Sequence, residues 1–178
     1  MHADEIWQVF GQNGDPIAGR GVREDDVSHN SGVGIAQLWL WRKTNQGVEV
    51  LLQKRSLSKK RYPGQYGSSA GGHVNLGETF LEALKRESFE EIGAEVDVAA
   101  VIFVAELHTP LEPQSIRRVY LYEVLSSWQE NLRDGEVDSV EWISLDSFKA
   151  MMADPKGYKL VDQGEAYFCI LAEAVDRL

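Results

Sequence analysis

The chain has 178 residues, 43% of them hydrophobic and 26% charged, which is the size and balance of an ordered globular domain and not of a disordered segment. A net charge of −10 repels nucleic acid polymers and anionic membranes, and no apolar run nears the roughly 20 residues a membrane helix needs. The start MHADEIWQVF lacks a basic stretch leading into an apolar core, and the lone Cys169 excludes an internal disulfide, so a reducing cytoplasm is the expected setting.

Ile6 to Phe10 alternates apolar and polar residues, and Asn13-Gly14 supplies a turn. Together they predict an N-terminal hairpin extension, within about residues 1–30, on a single domain spanning 1–178. Val33 to Trp41 and Val48 to Gln53 read as strands joined by the polar turn Lys43 to Gly47. Between Tyr62 and Gly77, Pro63 and five glycines predict irregular backbone, or a short strand lying close against something else. Thr79 to Ile92 reads as a helix with the stripe Leu81, Leu84, Ser88 and Ile92, stopped by Gly93. Val98 to Leu107, Arg118 to Leu125 and Val137 to Ile143 are strand-like. Ser144 caps a short helix that ends before Asp154-Pro155. Asp162 and Glu165 have capping-box spacing, and the last helix carries the stripe Phe168, Leu171, Val175 and Leu178. Within it, Cys169 is expected as a buried thiol. The whole implies a mixed α/β domain with a sheet between helices.

The chemistry concentrates in GHVNLGETFLEALKRESFEEIGA, Gly72 to Ala94. On a helix, Glu87, Glu90 and Glu91 project from one side within a turn, where like charges repel unless a cation offsets them. A hard divalent cation such as Mg²⁺ suits carboxylate oxygens. An acidic face open to water is the alternative, and the carboxylates alone leave the two even. The glutamates flank the apolar stripe, and a glycine-rich loop precedes the helix, which favours the metal. Arg86 with Glu78 forms a supporting pair. Lys54, Arg55, Lys59, Lys60 and Arg61 hold five of the 18 basic residues, either as a solvated loop or as an anion-attracting one.

Gly72, Glu78, Arg86-Glu87, Glu90-Glu91 and Gly93 stand at the spacing of the Nudix box, which this segment resembles. Ser88 departs from an aliphatic slot and Ala94 is a small occupant of another. The resemblance implies a Nudix-type α/β/α sandwich with a mixed sheet. It also implies hydrolysis of a nucleoside diphosphate linked to another moiety, with Mg²⁺ or Mn²⁺ held by Glu87, Glu90, Glu91 and the carbonyl of Gly72. The partner is then a small diphosphate substrate, and a homodimer is a reasonable expectation from the fold family. The run LLQKRSLSKKRYPGQYGSSAGGHVNLGE further resembles the branch that includes isopentenyl-diphosphate isomerase. Where that enzyme places a catalytic cysteine this chain has Gly71, and Ile116, Arg117 and Arg118 replace its acidic residues, so hydrolysis is expected and isomerisation is not.

Arg55, Lys59, Lys60, Arg61 and Arg118 are expected to bind substrate, Arg118 or its neighbour Arg117 by a forked phosphate grip. His73 is open between metal ligand, substrate contact and loop support. His2, His29 and His108 carry weaker signals. The general base comes from the box itself, Glu90 or Glu91, or from the acidic run Asp134, Glu136 and Asp138 with Glu141 beyond it. Of these, Glu136 has the best reach. Tyr62, Tyr66, Trp39, Trp41 and Trp128 are candidates for stacking on a base or for core packing.

Overall fold

Asn13 and Gly14 turn the chain as expected, with Gly14 at φ 81° and its N–H donating to the Gly11 carbonyl at 3.0 Å. The turn joins β1 (Trp7–Phe10) to β2 (Pro16–Val22). The computed structural model describes residues 5–11, 13–27, 32–109, 115–133 and 135–178, so His2, His29 and Asp134 lie outside the described residues. Next come β3 (Gly32–Thr44), β4 (Gly47–Arg55), β5 (Tyr66–Gly67), β6 (Ala70–His73) and α1 (Phe80–Ile92). Then follow β7 (Ile102–Thr109), β8 (Ser115–Glu123), β9 (Val137–Ser144), α2 (Leu145–Ala153) and α3 (Glu165–Val175). Among the described residues no helix is long and apolar enough to cross a membrane.

β3 organises the mixed sheet. It runs parallel to β8 along its length and antiparallel to β1, β4 and β6. The alternation Leu38, Trp39, Leu40, Trp41 sends successive side chains to opposite faces. Leu38 and Leu40 pack with Phe80, Ala83, Leu84 and Ile92 of α1. Trp39 and Trp41 pack with Phe148 of α2 and with Tyr167, Phe168 and Leu171 of α3. The result is an α/β/α sandwich. Both faces of the sheet are covered, which is why its central strands are apolar on both sides.

Four local expectations need correction. Leu81 is exposed, and Phe80 takes its place in the buried stripe of α1, because neighbouring helical positions lie about 100° apart around the axis. Residues 98–100 form a 3-10 turn capped by Asp97, so β7 starts only at Ile102. Asp162 accepts from the N–H of Gly164 at 2.9 Å, and Gly164 stands at the cap of α3 with no side-chain cap bond; this is an Asx-type turn and not a capping box. Cys169 is exposed, since the buried side of α3 is carried by Tyr167, Phe168, Leu171 and Val175.

Candidate metal and substrate site

Helix α1 is fixed at both ends. Thr79 and Glu82 make a reciprocal capping box, and Gly93 closes the helix in the left-handed region at φ 71°. Ser88 is fully buried and donates to the Leu84 carbonyl at 2.6 Å, so its hydroxyl is satisfied inside the helix without an outside partner.

Arg86 braces the acidic side of α1. Its Nε and Nη2 donate to the two oxygens of Glu78 at 2.8 and 3.0 Å, the planar fork for which guanidinium is suited. Nη2 also reaches the His73 carbonyl at 2.9 Å, and Nη1 reaches Glu87 at 2.7 Å and Glu90 at 3.3 Å. Burial alone would raise the Glu78 pKa, but Arg86 and the Asn75 N–H hold it below the usual range. Burial pushes Glu87 up to about 7, with Arg86 pulling the other way.

Glu91 is buried, and one of its oxygens accepts from the Gly71 N–H and from Gln53 Nε2, each at 2.9 Å. These contacts bridge a parting in the sheet. β6 pairs with β3 at residues 35–38, whereas β4 pairs with β3 only near their shared turn. Glu91 therefore sits where β4 and β6 separate. Gln53 was not foreseen; its only signal is a polar residue ending an apolar strand.

Gly72 lies against Glu87, and a Cβ there would stand 2.1 Å from a Glu87 oxygen. The donors around this cradle are all oxygen, and one arginine serves three glutamates, which fits a hard divalent cation. As arranged, however, the glutamates are turned towards Arg86, Gly71 and Gln53. No group of three or more His, Cys, Asp or Glu side chains is gathered for a metal among the described residues. A cation would take over from Arg86 at Glu87 and Glu90.

The basic segment divides. Lys59 forms an ion pair with Glu136, so an expected substrate contact and an expected base hold each other. Lys54 faces Asp138 at 3.4 Å, and Lys60 lies 3.9 Å from Asp25 with both side chains in water. Arg55 Nε donates to the Arg61 carbonyl at 3.2 Å. Arg118 is engaged elsewhere: it donates to Glu106 at 2.8 Å and lies over the Phe80 ring at 4.3 Å. Strand alternation explains this, since residue 118 faces α1 and residue 117 faces the other side. Arg117 keeps a buried Nε with no partner among the described residues.

His73 stacks on Trp7, with ring centroids 3.5 Å apart and planes within 9°. Burial and the charges of Arg61, Lys59, Arg117 and Arg86 lower its pKa to about 3. His108 pairs with Glu106 on β7. Trp39 and Trp41 belong to the core, Trp128 packs edge-on to Trp142, and Tyr66 reaches Glu141 at 3.3 Å. Of the five candidate stacking rings, only Tyr62 is largely exposed.

The family described as NUDIX domain matches residues 32–163. An isopentenyl-diphosphate Delta-isomerase of Klebsiella pneumoniae is 34% identical over 120 residues, covering 65% of this chain and 62% of that protein. The match thus spans less than two thirds of the isomerase. A Nudix hydrolase of Deinococcus radiodurans is 28% identical over 163 residues, covering 92% of this chain and 88% of the relative. The crystal structure of DR0079 from Deinococcus radiodurans aligns with a TM-score of 0.70 at 25% identity, covering 97% of this chain and 98% of that one.

Proposed function

The chain belongs to the NUDIX domain family, and from that premise we propose that it is a divalent-metal-dependent hydrolase of a diphosphate linkage. The substrate class is a nucleoside diphosphate derivative or a related organic pyrophosphate. The observation that carries the reading is the brace of Arg86 on Glu78, Glu87 and Glu90, beside a Glu91 tied to the backbone of β6. Glu87, Glu90 and Glu91, with the backbone of Gly72, are the residues that would hold Mg²⁺ or Mn²⁺. Such a cation, when bound, neutralises phosphate charge and makes water more acidic.

The remaining work falls to side chains. Arg55, Lys59 and Arg61 draw the diphosphate into the parting between β4 and β6, while the exposed Lys60 adds only long-range attraction. Glu136 takes the proton of the attacking water onto its carboxylate. Its ion pair with Lys59 couples the two roles: when Lys59 moves to a substrate phosphate, Glu136 is released for the proton. Glu90 and Glu91 are the alternative bases within the helix. A cytoplasmic enzyme and a homodimer complete the proposal; the exposed Ile102 and Phe103 on β7 support self-association.

Isomerase chemistry is disfavoured by Gly71. A Cβ there would stand 2.6 Å from the Ala36 carbonyl oxygen, so this strand pairing has no room for a reactive side chain at that position. The experiment is a panel of nucleoside triphosphates, nucleotide sugars, dinucleotides and coenzyme derivatives with Mg²⁺ or Mn²⁺, both products being identified. Cleavage of a diphosphate is the expected result. Inertness across the panel, or conversion of isopentenyl diphosphate to dimethylallyl diphosphate, would sink it.

A further inference from the structure

The NUDIX match begins at residue 32, so β1 and β2 lie ahead of it, yet β1 is laced to the segment between β6 and α1. The Gln8 N–H donates to the Val74 carbonyl at 2.8 Å, and the Leu76 N–H donates to the Ile6 carbonyl at 2.7 Å. Trp7 bridges to Asn75 and stacks on His73. Residues 74–78 in turn present Glu78 to Arg86. The Asn75 N–H donates at 2.9 Å to Glu78 Oε2, the same oxygen that takes Arg86 Nη2.

Gln8 sits at the centre of this lacing and is only 4% exposed. Its Oε1 accepts from the Gly77 N–H at 3.3 Å. At the other end, Nε2 is shared among the carbonyls of Val9, Ile17 and Arg20 at 2.8, 2.9 and 3.3 Å. The last two flank a bulge: Gln8 pairs with Gly21 and Phe10 with Pro16, so residues 17–20 face a single residue of β1. Closing that hairpin needs only Nε2. The Oε1 contact goes instead to the turn that begins the approach to α1, 69 residues away in sequence. A buried amide satisfied at both ends fixes the geometry of what it joins, where an apolar side chain of similar length would only fill the space.

We propose that Gln8 is a positioning residue for the metal site, acting through Gly77 and Glu78 on Arg86. With Gly77 held, residues 74–78 keep Glu78 in the Arg86 fork. Arg86 is then balanced between Glu78 on one side and Glu87 and Glu90 on the other. Without the tie the turn shifts and Glu78 leaves the fork. Arg86 is drawn further onto Glu87 and Glu90, the two carboxylates a cation has to take over. Loss of a group that orients metal ligands costs about 10–100-fold in metal affinity or activity. The N-terminal hairpin thereby belongs to the working centre, as a support and not as a ligand. The inference rests on the metal-dependent reading given above.

Gln8→Met, similar in length and without either polar end, is compared with Val9→Ala, which loosens the same strand by removing buried methyl groups from its other face. Both variants are expected to melt at a lower temperature than the wild type. Calorimetry with Mn²⁺ separates them: Gln8→Met should weaken binding about tenfold, while Val9→Ala stays near the wild type. Gln8→Glu, which keeps an acceptor for Gly77, should recover most of the lost affinity. In hydrolysis, Gln8→Met should lower kcat and leave KM almost unchanged. Amide hydrogen exchange needs neither metal nor substrate. It should quicken at Asn75, whose N–H is held by Glu78 and not by Gln8, in Gln8→Met and not in Val9→Ala. A wild-type chain that cleaves nothing in the panel, with these metal and exchange effects intact, would sink the hydrolytic reading and support the positioning role. Equal loss of Mn²⁺ affinity in Gln8→Met and Val9→Ala, or unchanged exchange at Asn75 in Gln8→Met, would overturn it.

Discussion

Lys59 and Glu136 are joined in an ion pair that ties the loop after β4 to the turn before β9. The pair links a cation suited to phosphate with a carboxylate suited to a proton, so removing either partner should have a distinguishable effect. Glu136→Gln is expected to lower kcat by at least about 10²-fold, the lower bound for a general base, with little change in metal affinity. Lys59→Gln should mainly raise KM. Steady-state kinetics on both variants provide the check. A near-normal kcat in Glu136→Gln beside a crippled Glu90→Gln would move the base into α1.

Arg86→Gln should destabilise the fold by about 1.5–3 kcal/mol, the range for hydrogen bonds to charged groups, read by urea melts. The reason is the set of contacts from Arg86 to Glu78, Glu87, Glu90 and the His73 carbonyl. Arg86→Lys should recover little, because a single ammonium cannot reproduce the two-pronged contact with Glu78. Full recovery by lysine would show that only the charge matters.

Gly72→Ala inserts a methyl group 2.1 Å from a Glu87 oxygen, so the carboxylate must swing away. Overpacking of this kind costs about 1–3 kcal/mol. The expected result is a folded protein with sharply weakened Mg²⁺ or Mn²⁺ binding by calorimetry. Unchanged metal affinity in this variant and in Glu87→Gln would place the cation elsewhere.

His73 gives a pH signature. Its pKa is lowered to about 3 in the fold from 6.5 in the unfolded chain. Between those values the unfolded chain binds more protons, so stability from this group is complete above about pH 6.5 and falls as the pH drops towards 3. His73→Phe keeps a ring for Trp7 to stack on and removes the titration. Urea melts from pH 4.5 to 7.5 should therefore show a shallower acid decline in the variant; parallel curves would contradict the shift.

β3, β4, β9, α1 and α2 were legible because each carries a local signal: alternation in β3, the stop of α1 at Gly93, and Ser144 before α2. The box carboxylates were legible for the same reason, being neighbours within one turn. Contacts across the sheet were not. Nothing local assigns Gln53 to Glu91, Lys59 to Glu136 or Arg118 to Glu106, since each depends on strand register. The choice between Arg117 and Arg118 shows the limit: one residue of alternation decides which side of the sheet a guanidinium enters. Cys169 was misread because α3 is apolar around much of its circumference, so composition gave little hint of its wet side.

The parallel pairing of β3 with β8 also governs when this protein can become functional during synthesis. Val33 is matched with Ser115, so the ladder closes only after the whole of the intervening chain has been made. Such non-local pairing is slow, because loop closure must precede any contact that rewards it. The acidic helix, capped by its own neighbours, can form early on the nascent chain, whereas Arg117 takes its place beside Ile35, across β3 from His73, only once β8 has docked. The carboxylate half of the centre is thus a product of local sequence, and the sheet that backs it a late product of topology.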